Sequence, residues 1–393
     1  MADKELVSAL KVCHFISGLD PINGGPAVAM AGLAPAELRA GLDVSVAATW
    51  VDHPGHDQAQ KMRDAGVKVH LLGPCTNPMS RHPELAKWVD DLVAGCDVVH
   101  IHALFEEIQH QAARAAWLRK IPYVIRPCGM LDPWSLRQAK WKKKLYMAWR
   151  LRRNLNRAAG LHFTAALEAD LTKPLHLKAP SIVEPNGVNL REFQDLPAPG
   201  TFREKHPELK GKKIVLFLSR IHPKKGLDLL IPAFARANLS DAMFVIAGPD
   251  AEGYGPTVQK LIADYHLQDR VMVVGPIYGS DRVAALTDAD IFALPSYSEN
   301  FGIAVVEALA AGRPVIISDQ INIHAEITAA GVGAVIPLDI DRLAAELQRW
   351  LGDEGLRNRA AGKARPFVWE TYDWDRIARR WSEHYINIAT NRA

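Results

Sequence analysis

Cysteine is scarce in this 393-residue chain: there are four, Cys13, Cys75, Cys96 and Cys128, and no CxxC spacing. That gives no disulfide framework and no zinc-ribbon ligand set, and a reducing compartment, the cytoplasm, is expected. Long apolar runs are missing as well. No stretch reaches the roughly 18 residues of a membrane span, and the opening Asp3-Lys4-Glu5, followed by a short apolar strand, lacks the form of a signal peptide. Neither sign of charge is in excess. A formal net charge of +3 gives no reason to expect nucleic acid as a partner. What remains is 48% hydrophobic and 23% charged residues without a biased tract, the composition of a soluble globular protein. The length exceeds one ordinary core, so two domains are expected.

The pattern along the chain is repeated strand and helix. Leu10 to Ile16 reads as a strand, followed by a loop with Gly18, Gly24 and Gly25 and an Ala-rich helix to about Ala40. Val44 to Ala47, Val67 to Leu71, Val98 to Ile101 and Ile121 to Ile125 read as further strands. Such βα repeats imply a parallel, doubly wound sheet. Pro185-Asn186-Gly187-Val188 is a turn cluster and marks the linker. The pattern then restarts with strands at Ile214 to Leu218, Met243 to Ala247, Val271 to Val274, Ile291 to Leu294 and Val315 to Ile317, and a helix from Gly226 to Ala237. An amphipathic helix at about 375–390 ends the chain and is placed to pack back on the first domain.

Residues 296–314 carry the most chemistry. Glu299 lies in a Gly/Asn-containing turn and Glu307, eight positions on, lies within an apolar helix. Pro295 ends the strand before them, and Gly312 with Pro314 ends the helix. The polar loop thus stands at a strand's C-terminal end, where open α/β sheets bind ligands. The helix start near Phe301-Gly302 offers free N–H groups to an anion. A buried Glu307 calls for a partner rich in hydroxyl donors, since an unpaired buried charge is costly. Earlier in the same domain, Arg220 follows a strand and Lys225 stands at a helix start. Together these two cations and the helix amides suit a diphosphate.

These residues, with the Gly24-Gly25 loop, the linker and the returning C-terminal helix, resemble the family-4 retaining glycosyltransferases of GT-B fold, of the type found in bacterial polysaccharide biosynthesis. The resemblance implies an α/β fold of two Rossmann-like, doubly wound parallel-sheet domains facing a cleft. It places residues 1–185 (with 370–393 packed back) on the acceptor side and residues 190–369 on the nucleotide-sugar side. It implies that Arg220 and Lys225 hold the diphosphate and that Glu299 binds donor-sugar hydroxyls, with backbone amides of Asn300, Phe301, Gly302 and Ile303 nearby. Glu307 would take the ribose hydroxyls. Gly248, Pro249 and Val274 to Ile277 would seat the base, and Gly25 would approach the diphosphate from the other domain. The segment Arg126-Pro-Cys-Gly-Met-Leu-Asp-Pro-Trp134 looks like that of the same transferases, where many carry a His at the position of Cys128. Cys128 departs from that pattern and is left out of the catalytic set. Asn189 stands where the linker commonly has Asp.

Three further features are read from the residues. His102, after the strand at Val98, is a candidate acceptor or donor contact, with a histidine hydrogen-bonded at a strand end as the alternative. Asp288-Ala-Asp290 spells a DxD triplet but sits at a helix end, where capping accounts for it, so no metal is expected. Residues 134–157 hold nine Lys/Arg among Trp141, Tyr146, Trp149 and several leucines. This basic amphipathic stretch is either a solvated helix face or a peripheral contact with the inner face of a membrane, which suits a lipid-linked acceptor. The expected reaction moves a sugar from a nucleoside-diphosphate sugar, UDP-glucose preferred over GDP-mannose, to a glycan or lipid-linked glycan hydroxyl without cofactor or metal. A retaining hydrolase using Glu299 and Glu307 fits poorly, because eight helical residues span ~12 Å and such enzymes need carboxyl groups ~5–5.5 Å apart. A nucleotide-sugar 2-epimerase and a non-catalytic nucleotide-sugar-binding protein stay open.

Overall fold

The computed structural model describes residues 10–20, 25–76, 79–137, 146–250 and 252–391. The chain divides into two compact units: Met1–Gly187 together with Asp373–Ala393, and Val188–Tyr372.

The first unit is built on a seven-stranded sheet. Its strands are β1 (Lys11–Ile16), β2 (Asp43–Thr49), β3 (Lys68–Leu72), β4 (Val98–His102), β5 (Tyr123–Arg126), β6 (Gly160–Phe163) and β7 (Ser181–Val183), in the order β3-β2-β1-β4-β5-β6-β7 and all parallel. The central strands are apolar runs because helices cover both faces. One face packs on the Glu107–Leu118 and Leu85–Val93 helices through Ile108, Ala112 and Val89. The other packs on the Gly25–Arg39 helix and the returning Trp374–Thr390 helix, through Met30, Leu33, Ile377 and Trp381. Trp374 lies flat against Gly32 and Gly187, where any side chain would collide with its indole. Arg39 and Asp375 pair across the two helices at 2.5 Å.

The second unit holds a six-stranded parallel sheet. Its strands are β8 (Lys213–Leu218), β9 (Ala242–Ala247), β10 (Val271–Gly275), β11 (Ile291–Leu294), β12 (Val315–Ser318) and β13 (Gly333–Ile336), ordered β10-β9-β8-β11-β12-β13. Strands β6, β7 and β13 are additions to the sequence reading. Strand β7 and strand β13 are only partly buried, and β6 (Gly-Leu-His-Phe) is broken by polar and glycine positions, so they lack the continuous apolar run that marks β11 and β12. Among the described residues, no helix is long and apolar enough to cross a membrane.

Candidate active site

The strand order of the second unit changes direction between β8 and β11, and open α/β sheets gather their ligands at such a switch. The loops that leave these two strands are fastened to each other. Tyr297 N donates to the Lys224 carbonyl at 2.9 Å. Gly226, at φ 76°, lies so close to the Pro295 carbonyl that a Cβ would strike it. Lys225 therefore ends its short 3-10 turn aimed across the switch, and its Nζ pairs with Glu299 Oε2. The two side chains are 12% and 21% exposed. Burial alone would push the Glu299 carboxyl up, but Lys225, with Lys224 and Arg220 beyond it, outweighs burial and holds it below its ordinary value. The Glu299 backbone is pinned on both sides: its N–H donates to Gln320 O at 3.1 Å, and its carbonyl accepts from Asn322 N at 3.0 Å.

The Ile303–Ala310 helix starts immediately after this turn. Gly302 is its N-cap at φ 82° and supplies no side-chain cap; Val305 N donates to Gly302 O at 2.9 Å, and the Ile303 and Ala304 amides before it have no intrahelical acceptor. Phe301 is 3% exposed and meets the Tyr372 ring edge-on, which anchors the loop in the core. Asn300 Oδ1 accepts from Asn322 Nδ2 at 3.4 Å. Glu307 projects from this helix with its side chain 13% exposed. Within the chain, Glu307 Oε1 is paired with Arg282 of the Gly279–Asp288 helix, and Arg282 also pairs with Glu192, a partner the sequence reading did not include. Burial raises the Glu307 carboxyl above its ordinary value, Arg282 opposes this, and Glu192 adds to it. Neither Arg282 nor Glu192 stands in a motif that sequence reasoning could use.

The neighbouring strand ends complete the edge. Ile221 N donates to Pro249 O at 2.9 Å, and Gly248 N donates to Gly275 O at 2.8 Å, joining the loops after β8, β9 and β10. Ile277 follows on the same side and is half-buried. Arg220 is half-exposed and loosely paired with Glu252 at 3.5 Å. Thus Arg220, Lys225, Glu299, residues 300–303, Glu307, Gly248, Pro249 and Ile277 all lie on the C-terminal strand ends or on the helix that begins there. Gly25 and His102 belong to the first unit.

Residues 200–367 match the family model described as glycosyl transferases group 1, and residues 24–187 match the glycosyl transferase 4-like domain. The chain belongs to the family-4-type GT-B glycosyltransferases. An uncharacterized glycosyltransferase of Methanocaldococcus jannaschii is 27% identical over 381 residues, covering 91% of this chain and 93% of that protein. A phosphatidyl-myo-inositol mannosyltransferase of Mycobacterium leprae is 30% identical over 212 residues, 53% of this chain and 54% of that enzyme. The match to that second relative thus spans about half of its length. Among solved structures, HepE of Anabaena in complex with UDP-glucose superposes with a TM-score of 0.78 at 18% identity, over 96% of this chain and 99% of that one. Sucrose-phosphate synthase from Thermosynechococcus elongatus gives 0.72 at 21% identity, over 97% and 99%. These likenesses show the GT-B fold.

In the first unit of the glycosyltransferase, Gly25 heads the Gly25–Arg39 helix and is exposed, while Gly24 lies outside the described residues. His102 is corrected as a ligand contact, because it is fully buried. Parallel strands β1 and β4 put His14 opposite His100, with His102 two residues on, and all face the Trp374–Thr390 helix. His14 Nδ1 and His102 Nε2 share a hydrogen bond of 3.0 Å, His14 Nε2 meets Glu37 at 2.6 Å, and Tyr385 links Glu37 to His100. His162 extends the chain from His100 at 3.2 Å. Nitrogens of His14, His100 and His102 all lie within 4.8 Å of one another, close enough to consider a metal. The ring geometry argues against one. His100 and His102 are stacked at 4.3 Å with planes 25° apart, so their in-plane lone pairs run side by side and do not converge.

Burial, followed by the neighbouring charges, pushes the His100, His102 and His162 imidazoles well below their ordinary value, so all three are neutral in the folded unit. The unfolded chain takes up protons near pH 6.5 that the folded chain refuses. Stability is therefore complete above that pH and falls below it, by about 1.4 kcal/mol per pH unit for each histidine. Calorimetric melting at pH 7.5, 6.5 and 5.5 should show a midpoint that drops only below about 6.5; a midpoint unchanged to pH 5.5 would contradict this.

The basic stretch 134–157 is only partly described, residues 138–145 lying outside the described set. Where it is described, two of its leucines point inward: Leu151 is 3% and Leu155 0% exposed, in the first unit's core, while Leu136 is half-buried. Arg150 pairs with Glu107 at 2.9 Å and Arg157 covers the Trp117 ring at 3.8 Å. Internal packing accounts for these two leucines, whereas Trp141 and the lysines at 140 and 142–144, on which the membrane reading leans, lie outside the described residues. Cys128 is held at φ 55°, and burial pushes its thiol up. Asp288 accepts from the Gly200, Phe202 and Arg203 amides at 2.6, 2.9 and 3.1 Å, capping the Thr201–Lys205 helix, and Asp290 accepts from Ile214 N at 2.8 Å.

Proposed function

We propose that this glycosyltransferase moves glucose from UDP-glucose to a hydroxyl of a glycan or lipid-linked glycan, with retention at the anomeric carbon, in cell-surface polysaccharide synthesis. The second unit takes the nucleotide sugar and the first unit takes the acceptor. The observation that carries this reading is the Lys225–Glu299 pair at the strand switch, beside an uncapped helix start. A cation, a carboxylate and free amides meet where a sugar diphosphate needs each of them. As the bond from the anomeric carbon to phosphate breaks, negative charge grows on the diphosphate. Lys225, Arg220 and the amides stabilise that charge, so no metal is required. The acceptor oxygen bonds to the same face of the anomeric carbon and its proton passes to the departing phosphate oxygen. Glu299 orients the sugar hydroxyls and does not attack.

The donor rests on two supports that point apart. HepE, a structural neighbour, was solved with UDP-glucose, whereas several sequence relatives are named mannosyltransferases. Calorimetric titration of UDP and GDP in EDTA separates them. UDP binding in the roughly 1 μM–1 mM range of enzyme substrates, with GDP weaker, is the expected result, followed by glucose transfer from UDP-glucose. Preference for GDP would replace glucose by mannose. Binding of neither nucleotide would remove the donor site, and a strict metal requirement would reopen Asp288 and Asp290.

A further inference from the structure

Arg282 stands between two carboxylates, and nothing in the proposed reaction has used it. Its Nη1 pairs with Glu307 Oε1 and its Nη2 with Glu192 Oε2, on side chains 19%, 13% and 39% exposed respectively. The guanidinium is fixed from behind by the Phe193 ring, 5.9 Å from its carbon. The triad joins three separate elements: the 3-10 turn Leu190–Phe193, the Gly279–Asp288 helix and the Ile303–Ala310 helix. Its net charge is one negative, since two carboxylates share one cation. Only Oε1 of Glu307 is engaged, and Oε2 takes no partner among the described residues.

We infer that Arg282 is a positioning residue for the nucleotide: it grips one oxygen of Glu307 so that the other is presented, as a carboxylate, to the ribose hydroxyls. This rests on the reading that Glu307 is the ribose contact. A hydroxyl donor is held far better by a charged acceptor than by a neutral carboxyl. Glu307 sits where burial favours the neutral form, and Arg282 is the nearest group that opposes it. The other charged groups around Glu307 are few. Glu192 comes from the 3-10 turn. Arg365, from the Glu354–Thr371 helix packed on the Ile303–Ala310 helix, is taken by the Phe193 carbonyl at 2.9 Å. Strands β11 and β12 bring only apolar side chains and Ser318. Glu192, in turn, keeps Arg282 from swinging wholly onto Glu307.

The test is UDP affinity measured by calorimetry between pH 7 and 9, above the titration of the terminal phosphate near 6. Wild type should be nearly flat over this range. Arg282→Gln should bind UDP about 10–100-fold more weakly at pH 7 and regain affinity toward pH 9, as Glu307 ionises without its cation; buried glutamates with pKa about 8–9 are documented. Arg282→Lys should restore most of the affinity and flatten the profile. Glu307→Gln should weaken binding with no pH slope, and the double variant Arg282→Gln/Glu307→Gln should match it. If Glu307→Gln binds UDP as wild type does, the ribose assignment falls and this inference with it. If Glu307→Gln is weak but Arg282→Gln is unchanged, or equally weak at every pH, Arg282 has no positioning role and the ribose assignment stands. Arg282→Lys answers the question should Arg282→Gln fail to fold.

Discussion

Lys225→Ala is expected to reduce sugar transfer by about 10³-fold, in kcat more than in KM, because it removes the cation paired with Glu299 at the strand switch. Two losses combine. The first is electrostatic: the diphosphate gains charge only as the glycosidic bond breaks, so a cation beside it acts mainly on the transition state. The second is local. Lys225 is the principal group that offsets burial at Glu299, and without it the Glu299 carboxyl moves upward toward the neutral form. A neutral Glu299 would orient sugar hydroxyls less firmly and would lose the partner that fixes its rotamer. Folding should suffer little, since the Glu299 backbone is held independently by Gln320 and Asn322. Initial rates with UDP-glucose, beside a melting curve, separate these effects. Wild-type kcat in Lys225→Ala would sink the diphosphate assignment. By contrast Arg220, half-exposed and loosely paired, should matter less when truncated.

Much of this site was legible in the chain because its key parts are local. Glu299 and Glu307 share one turn and one helix, Pro295 and Gly302 bound them, and Lys225 lies a few residues beyond a plain apolar strand. Local spacing places such groups without knowledge of the fold. Arg282 is different. It lies 25 residues before Glu307 and 90 after Glu192, and it meets both only because three elements pack together. Nothing in Asp281-Arg282-Val283 marks it off from a solvated helix charge. Glu307's need for compensation could therefore be read from its apolar helix, and the share that Arg282 supplies could not. His102 kept two readings for a related reason, and the structure shows the hydrogen-bonded strand-end histidine. A strand's alternation gives two faces, but which is covered depends on sheet order, and here the C-terminal helix covers the face that carries His14, His100, His102 and His162.

That covering helix underlies the second large effect. Removing residues 373–391 should leave the first unit unable to fold stably, although it deletes no residue of the donor edge. The segment contributes Trp374, Ile377, Ala378, Trp381 and Tyr385 to the core beside Met30 and Leu33. Its loss would expose that apolar surface and strip Glu37 and His100 of the Tyr385 hydroxyl, 3.0 and 2.7 Å away. Glu37 and His14 are fully buried, so a Glu37–His14 pair suddenly open to water on one side loses the environment that fixes it. Trp381→Ala measures the same dependence in graded form. Trp381 is fully buried and packs on His162 and His100 at ring-centroid distances of 4.5 and 4.8 Å. Truncation there should cost about 3–5 kcal/mol, which for a unit of this size lowers the melting midpoint by roughly 10 °C, at about 2–4 °C per kcal/mol. Because every one of these contacts lies within the first unit, UDP affinity at low temperature should survive in Trp381→Ala. A truncated chain that stays soluble with an unchanged midpoint would show that the first sheet is closed without its last helix, and the histidine chain would then be held at its ends by Glu37 and the Glu184 carbonyl.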